Sequence, residues 1–308
     1  MTPGAELAAL PSWGDENVVL ALPPCTVGLE GLSRGQRQAI RAQYAGFQGT
    51  GGCAPEAHIR CRVGRLPHPL AEAAEAFTRH GEYAPRIEPG EAGVGLVGYS
   101  SLAWLERRAG VAARAALAVA GEEELAQPFV LENFLRIVTA YRALALGGVL
   151  LHSAGVVHGG RAFLFCGRAN AGKTTLARKA AAAGAQVVSD DLNMVMPGPG
   201  GWWVHPVPFT GEFGRQQPPA AEACPLVAVA LLEKTAALRV APVQPAEAVA
   251  ALLVGCPFVN ADSEEFPALA SVVSDVAAGV PVLRVGVARG DSFPVILAAV
   301  EERVKHGG

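Results

Sequence analysis

The chain has 308 residues, of which 51% are hydrophobic, with a formal net charge of −3 and six cysteines. This length can bury one large core or two smaller ones, and the slightly acidic charge excludes the broad basic surface typical of nucleic-acid-binding proteins. The cysteines form no C-x-x-C pair, and no basic segment with an apolar run opens the chain. We therefore expect reduced thiols, no nucleic-acid or membrane partner, and a cytoplasmic protein.

The first half of the chain alternates short strand patterns with two helical patterns. Strands are predicted at residues 18–22, 26–29, 58–63 and 94–99, and helices at residues 34–44 and 70–80. We interpret residues 1–126 as a small α+β module of unknown role and residues 127–308 as a second domain. Pro128 is predicted to begin an amphipathic helix that ends near Gly147.

A β-hairpin is predicted next, because two β-type runs are joined by Gly159 and Gly160. If these glycines form a two-residue turn, the strand register places His152 opposite Gly167. A lone histidine in a strand is usually structural, but this register puts His152 at the mouth of the loop that follows. A shift of one residue would move it to the other face of the sheet.

Residues 167–174 read Gly-Arg-Ala-Asn-Ala-Gly-Lys-Thr and match the phosphate-binding motif G-x-x-x-x-G-K-[ST] at every position. A strand pattern precedes the motif and a helical pattern follows it, as this loop requires. Glycines let backbone N–H groups converge on a phosphate chain, and a lysine adds a full positive charge. We expect the triphosphate chain of a nucleotide as the ligand. The predicted contacts are Gly167, Asn170, Ala171, Gly172, Lys173, Thr174 and Thr175.

A pair of acids follows the helix, where a short apolar run at residues 185–188 ends in Ser189-Asp190-Asp191. A right-handed crossover would make this strand parallel to the one before the loop, so the acids should lie beside the phosphates. Asp190, Asp191 and the hydroxyl of Thr174 are the candidate ligands for Mg²⁺. Because adjacent strand residues point to opposite faces, we expect only one acid to face the transferred group.

The rest of the chain is predicted to complete the sheet layers, with one segment of uncertain role. Its elements are a hairpin at residues 194–203, strands at 226–232 and 280–287, and helices at 245–253, 264–278 and 293–304. Residues 205–215 lack periodicity and are interpreted either as a surface loop or as an acceptor-binding loop. In the second case Glu212 would assist the metal and Arg215 would contact a phosphate oxygen.

His152, residues 167–175 and the Asp190-Asp191 pair together resemble the catalytic core of the HPr kinase/phosphorylase family, which is related in fold to ATP-dependent phosphoenolpyruvate carboxykinase. The resemblance is strong over residues 150–191, and it is greater to stand-alone HPr-kinase-like proteins of bacterial peptide-modification clusters than to the bifunctional enzyme. It implies an α/β fold with a P-loop-containing mixed sheet after the α+β module. It also implies an ATP- and magnesium-dependent kinase that acts on a serine hydroxyl.

The resemblance further implies that both acids are functional, one of them as the base, together with Lys173 and His152. Three points stay open in the sequence. The acceptor is a serine of a peptide or protein, or else a small hydroxylated molecule with carboxykinase-like chemistry. The alternative from another class is a regulatory module that binds nucleotide without transferring phosphate. Whether the chain forms a homo-oligomer is also open.

Overall fold

The computed structural model describes residues 3–49, 57–72, 85–107, 113–211, 213 and 222–306. The chain divides into two compact units, Met1–Leu146 and Gly147–Gly308. The boundary predicted from the sequence lies earlier, at residue 126. The structure is a mixed α/β fold with a mixed sheet in each unit.

The first unit, as far as its residues are described, forms a seven-stranded sheet in the order β1-β2-β3-β7-β6-β5-β4. Strands β2, β3 and β7 run parallel to one another, and the remaining pairs are antiparallel. The strands are β1 Glu16–Leu22, β2 Cys25–Leu32, β3 His58–Arg65, β4 Arg86–Gly90, β5 Gly93–Gly98, β6 Ser101–Glu106 and β7 Ala113–Val119. The helices are α1 Pro3–Ala8, α2 Arg34–Gln43 and α3 Asn133–Ala145.

The sequence predicts part of this sheet correctly. The four strands predicted in the first half coincide with β1, β2, β3 and β5, and the helix at residues 34–44 coincides with α2. A capping box begins α2, because Ser33 Oγ accepts the Gln36 amide while Gln36 Oε1 accepts the Ser33 amide. Strands β4, β6 and β7 were not predicted, so the sheet is larger than expected. The helix predicted at residues 70–80 lies largely outside the described residues.

The helix predicted from Pro128 has two parts. Residues Pro128–Glu132 form a π-helical turn, and the regular α-helix α3 begins only at Asn133. The side of α3 that carries Phe134, Leu135 and Val138 is buried, as expected for a helix that packs against a sheet. Contacts of α3 with β2 place this helix in the first unit, which is why the unit ends after the helix and not before it.

The second unit carries an eight-stranded sheet among its described residues. Its strands are β8 Val149–His158, β9 Arg161–Cys166, β10 Gln186–Ser189, β11 Leu192–Gly198, β12 Gly201–His205, β13 Cys224–Lys234, β14 Arg239–Pro242 and β15 Val282–Val287. Its helices are α4 Lys173–Ala182, α5 Pro245–Val254, α6 Phe266–Gly279 and α7 Phe293–His306. Apart from the unpredicted β14, these elements match those expected from the sequence to within a few residues.

Strand β8 lies between the strands that lead to the phosphate-binding motif and to the acid pair. It pairs antiparallel with β9 on one side and antiparallel with β10 on the other. Strands β9 and β10 therefore point in the same direction, as the crossover through α4 predicts, but they are not neighbours. Beyond β9 the sheet continues with β13 and β15, both parallel to it. The carboxyl ends of β9, β10, β13 and β15 consequently share one edge of the sheet.

A buried apolar core fixes α4 and α7 on this sheet. Phe163 and Phe165 of β9 are 1% and 0% exposed, and Phe165 meets Phe293 of α7 edge-on, with ring centroids 6.3 Å apart. Burying an aromatic or leucine side chain of this kind contributes about 1.5–3 kcal/mol. The loop between β9 and α4 is thus held at both ends by the core. No described helix has the length and hydropathy needed to cross a membrane.

Candidate functional site

The hairpin of β8 and β9 has the predicted register. Gly159 and Gly160 form its turn with φ values of 57° and 71°, a left-handed conformation that glycine adopts without a steric cost. Strand pairing runs from His158–Arg161 to Ser153–Cys166 and ends there. His152 and Gly167 are the next residues on the two strands, so His152 lies at the start of the loop. Its side chain is 47% exposed.

Residues 167–172, here called the phosphate loop, connect β9 directly to α4. Asn170 and Gly172 have positive φ values of 63° and 110°, and such left-handed residues turn successive backbone N–H groups into one concavity. A Cβ atom on Gly167 would lie 2.8 Å from the Cβ of Ala171, so the tight fold of the loop also requires glycine there. The loop ends at the N-terminus of α4, where the helix dipole favours an anion.

Lys173 begins α4 and folds back over the loop. Its side chain is largely buried, and its Nζ donates hydrogen bonds to the carbonyl oxygens of Gly167, at 2.8 Å, and Arg168, at 3.3 Å. Burial lowers the pKa of Lys173, and the nearby Cys166 and Asp191 oppose this shift. The ammonium group therefore lies in the loop with only neutral oxygens bonded to it. A phosphate chain would replace these neutral partners with charged oxygens, which form stronger hydrogen bonds with an ammonium group.

The acid pair follows a turn organised by Ser189. The buried Ser189 hydroxyl donates to the carbonyl oxygen of Phe209 at 2.7 Å, and it accepts the amides of Asp191 at 3.0 Å and Leu192 at 3.2 Å. The chain bends at Asp190 and Asp191 instead of continuing as a strand. Asp190 and Asp191 both line the same cleft. Strand β10 ends at Ser189, so strand alternation does not fix the directions of the two side chains, and the expectation that only one acid faces the transferred group stays a prediction.

His152 and Asp191 face each other within the cleft. The distance from His152 Nδ1 to Asp191 Oδ1 is 3.6 Å, and the Asp191 side chain is 20% exposed. The strand pairing of His152 with Leu192 and a hydrogen bond of 2.9 Å from the Ser153 amide to the Asp191 carbonyl fix this approach. This distance allows an ion pair that orients the Asp191 carboxylate when His152 is protonated, and it is too long for a direct hydrogen bond.

These groups meet in one cleft of about 480 Å³. Its walls combine the phosphate loop, the start of α4, the acid pair and the end of β13. The lining residues are His152, Ala169, Asn170, Gly172, Lys173, Thr174, Thr175, Asp190, Asp191, Gly211 and Lys234. Two ammonium groups and two carboxylates in a single open cleft can bind an anion on one side and accept a proton on the other.

Three residues of this cleft were not among the predicted site residues, namely Ala169 of the phosphate loop, Gly211 and Lys234. Lys234 ends β13 and could have been found only from the strand order, which brings β13 beside β9. Gly211 lies against Asp190: a Cβ atom on it would be 2.7 Å from both carboxylate oxygens. The predicted substrate contacts Glu212 and Arg215 lie outside the described residues, although Gly211 leads directly to them.

The oxygen donors of the cleft suit a metal ion that is bound together with phosphates. Among the described residues, no cluster of three or more His, Cys, Asp or Glu side chains could hold an ion. Mg²⁺ that is bound to a nucleotide needs fewer protein ligands, since one or two carboxylates, phosphate oxygens and water molecules usually complete its coordination shell. The Thr174 hydroxyl and the Asp190 and Asp191 carboxylates line one cleft and provide the oxygen donors that Mg²⁺ prefers. These residues fit magnesium bound together with phosphates, and they do not form a separate protein-only site.

Comparison with known proteins relates the chain to one family model and to a number of solved structures. The family model of ScmC, described as a SynChlorMet cassette protein, matches residues 125–260, less than half of the chain but including the phosphate loop and the acid pair. Among solved structures, the Hpr(Ser) kinase/phosphatase from Coxiella burnetii is similar, with 16% identity and a TM-score of 0.30 over 52% of this chain and 99% of that chain. No curated protein matches the chain by sequence. At this TM-score the function has to be inferred from the residues of the cleft.

Proposed function

We propose that this chain is an ATP- and magnesium-dependent kinase that transfers the γ-phosphoryl group to a hydroxyl, and that the acceptor is a serine of a peptide or protein. One observation carries the proposal: a single cleft contains both the phosphate loop with Lys173 and the pair Asp190 and Asp191. A nucleotide-binding switch needs the loop and one acid that helps to hold the metal. A hydroxyl kinase needs a second acid as well, because a proton has to be removed from the acceptor.

The phosphate side of the cleft would hold the donor. The N–H groups of the phosphate loop and of the first turn of α4 would bind the β- and γ-phosphoryl oxygens. Lys173 would exchange its carbonyl partners, Gly167 and Arg168, for a phosphate oxygen. Charge-assisted hydrogen bonds of this type are roughly twice as strong as neutral ones, so the exchange favours binding.

The acid side of the cleft would act on the acceptor. The acceptor oxygen forms a bond to the γ-phosphorus while its proton passes to a carboxylate, and the bond from the γ-phosphorus to the bridging oxygen breaks with its electron pair leaving on ADP. Asp191 is the more exposed acid and has His152 beside it, whereas Asp190 is 4% exposed and lies under Gly211. We therefore assign the base to Asp191 and a positioning role to Asp190.

Magnesium would be held by Thr174, Asp190 and the phosphates. When bound, it would neutralise charge on the β- and γ-phosphoryl oxygens. The assignment of Asp190 follows from its burial beside the loop, and that of Thr174 from the position of the hydroxyl at the start of α4.

A peptide or protein serine is proposed as the acceptor because of the resemblance to HPr kinases over residues 150–191. The cleft is open to solvent at His152 and Lys234, which suits an acceptor carried on a larger molecule. Glu212 and Arg215 are proposed acceptor contacts, since they follow Gly211 at the cleft wall. A small hydroxylated acceptor would use the same chemistry.

The test is single-turnover transfer from γ-labelled ATP to serine-containing peptides, with nucleotide binding measured in parallel. A positioned base contributes roughly 10²–10⁴ in rate, so Asp191→Asn should slow transfer by at least about 10²-fold at saturating ATP with little change in ATP affinity. Asp190→Asn should slow transfer and also weaken magnesium-dependent binding. Asp275→Asn is the matched control, because Asp275 is exposed on α6.

Three outcomes would contradict the proposal or part of it. Transfer at the normal rate by both amide variants would remove the acid pair from catalysis. Labelling of small hydroxylated compounds, without labelling of any peptide, would show that the acceptor is a small molecule and not a serine. Nucleotide binding that alters association with another protein, without any labelled product, would favour the regulatory module.

A further inference from the structure

A second cavity, of about 430 Å³, lies beside the phosphate loop and shares residues with the first. Gly172, Thr175 and Lys234 line both cavities. The second cavity extends toward the ends of β13 and β15 and the first half of α7. It thus occupies the carboxyl edge of parallel strands, the position where open α/β sheets commonly bind their ligands.

The walls of this second cavity are mainly apolar. Leu176, Leu232 and Ile296 form its base and belong to the buried core of the unit. Val287 and Ala288 lie at the end of β15 and are partly exposed. A flat apolar group would be buried favourably against these walls, while polar atoms of a ligand can pair with charged lining residues such as Lys234 and Arg289.

Hydrogen bonds stabilise the rim of the cavity. Lys179 of α4 donates from Nζ to the carbonyl oxygens of Arg289, at 3.0 Å, and Asp291, at 2.6 Å. The Ala288 amide donates to Asp291 Oδ2 at 2.7 Å. Lys179 therefore holds the turn between β15 and α7 against the helix that follows the phosphate loop. The cavity is formed before any ligand enters, which reduces the ordering cost of binding.

We infer that the second cavity binds the base and sugar of the nucleotide whose phosphates occupy the phosphate loop. This inference rests on the proposed function, since it names the part of the site that would recognise the nucleoside. A ligand that spans the two cavities must have an anionic end at Lys173 and a flat, largely apolar end against Leu232 and Ile296. A nucleoside triphosphate has this combination, and Lys234 lies where its two parts join.

The lining also favours adenine over guanine. Guanine has hydrogen-bond donors at N1 and N2, and burial leaves them unpaired unless an acceptor such as a carboxylate is present. Of the described residues that line this cavity, none is Asp or Glu. Adenine has a single donor group, the N6 amino group, which can remain at the open rim near the partly exposed Thr235.

The inference can be tested by calorimetric titration with ATP, GTP and inorganic tripolyphosphate at equal Mg²⁺ concentration. The wild-type chain should bind ATP more tightly than tripolyphosphate by about tenfold or more, and more tightly than GTP, because base burial adds to phosphate binding. Equal affinities for ATP and tripolyphosphate would overturn the inference without requiring any variant. Failure to bind all three ligands would instead contradict the proposed function.

Substitutions of a residue that lines the second cavity test whether the base binds there. Ala288→Phe should fill the cavity while keeping the backbone hydrogen bond to Asp291, so ATP affinity should fall about tenfold or more while tripolyphosphate affinity changes by less than about twofold. Ala288→Leu is the smaller change to use if the phenylalanine variant melts early. Ala182→Phe, on the exposed far end of α4, is the control. Equal losses for both ligands, or no loss of ATP affinity in a folded Ala288 variant, would show that the base lies elsewhere.

Discussion

The backbone of Gly211 lies against the carboxylate of Asp190. A Cβ atom added to Gly211 would be 2.7 Å from both Asp190 oxygens, a separation that real Cβ contacts do not show. Asp190 itself is buried, so its carboxylate has to shift within a packed environment if a side chain is added at residue 211. The absence of a side chain at residue 211 therefore determines where one of the two candidate catalytic carboxylates can lie.

We expect Gly211→Ala to reproduce much of the defect of Asp190→Asn. The methyl group should displace the Asp190 carboxylate, and a misplacement of about 1 Å can cost roughly 10²-fold in rate. The measurement is single-turnover phosphoryl transfer together with the thermal midpoint. Gly35→Ala serves as the control, since a Cβ there would meet only ordinary contacts of 3.4 Å and longer. Normal transfer by a folded Gly211→Ala protein would mean that Asp190 has no role in the reaction.

Ser189 should matter for stability and for the acid pair at the same time. Its buried hydroxyl satisfies the Phe209 carbonyl and the amides of Asp191 and Leu192. Leaving buried polar groups unpaired costs about 1–3 kcal/mol, so Ser189→Ala should lower the free energy of unfolding by about that amount. It should also slow transfer, because the turn that carries Asp191 would loosen.

Ser274→Ala provides the comparison for Ser189. The Ser274 hydroxyl also donates a hydrogen bond of 2.7 Å to a carbonyl oxygen, that of Ala270. This hydroxyl is exposed on α6, so water can take its place. Chemical denaturation should therefore show a change of less than about 0.5 kcal/mol for this variant. Equal effects of the two substitutions would refute the structural role assigned to Ser189.

Local patterns predicted the parts of the site that depend on local chemistry. The two glycines at 159 and 160 have φ values that a two-residue turn requires, and the hairpin register follows from that turn. The placement of His152 near the phosphate loop follows in turn from the register. Likewise, the apolar run that ends at Ser189 predicted β10 to within one or two residues.

The features that the sequence did not predict depend on tertiary structure. Strand β7 contains four alanines, a residue that is depleted in strands, and it forms because neighbours on both sides bury it. The contact of Gly211 with Asp190 is made between two separate loops, and no local sequence pattern indicates it. The bend at Asp190 and Asp191 places both residues at one cleft, and a strict alternation of strand residues cannot anticipate it.

Cys166 should be chemically inert although it lies one residue before the phosphate loop. The side chain is 4% exposed, and burial raises the pKa of the Cys166 thiol to about 12. Since the thiolate is the reactive form, we expect no alkylation of Cys166 by iodoacetamide at about pH 8 in the native protein. Burial and Glu222 also raise the pKa of the Cys224 thiol, but Cys224 is partly exposed and should be modified faster than Cys166, as site-resolved mass spectrometry can show. Rapid loss of Cys166 thiol in the folded chain would contradict the burial of β9.

Nucleotide affinity should depend on pH through Lys173. Burial lowers the pKa of Lys173 in the free protein, and a bound polyphosphate should raise it again, because an adjacent negative charge favours the ammonium form. The nucleotide therefore binds the protonated protein more tightly. Affinity should be constant below the pKa of the free protein and should fall as the pH rises through it, until the pKa of the complex is reached.

The measurement is the dissociation constant of ATP between about pH 7.5 and pH 10, a range in which the terminal phosphate, with a pKa of about 6, keeps its charge. The wild-type chain should lose up to about tenfold in affinity per pH unit above the lowered pKa. Lys173→Met keeps most of the side-chain volume but has no titrating group, so its weaker affinity should not change over this range. Lys173→Arg should stay charged throughout and should also give a flat profile. Parallel pH profiles for the wild-type and methionine chains would show that Lys173 is not the group whose charge binds the phosphates.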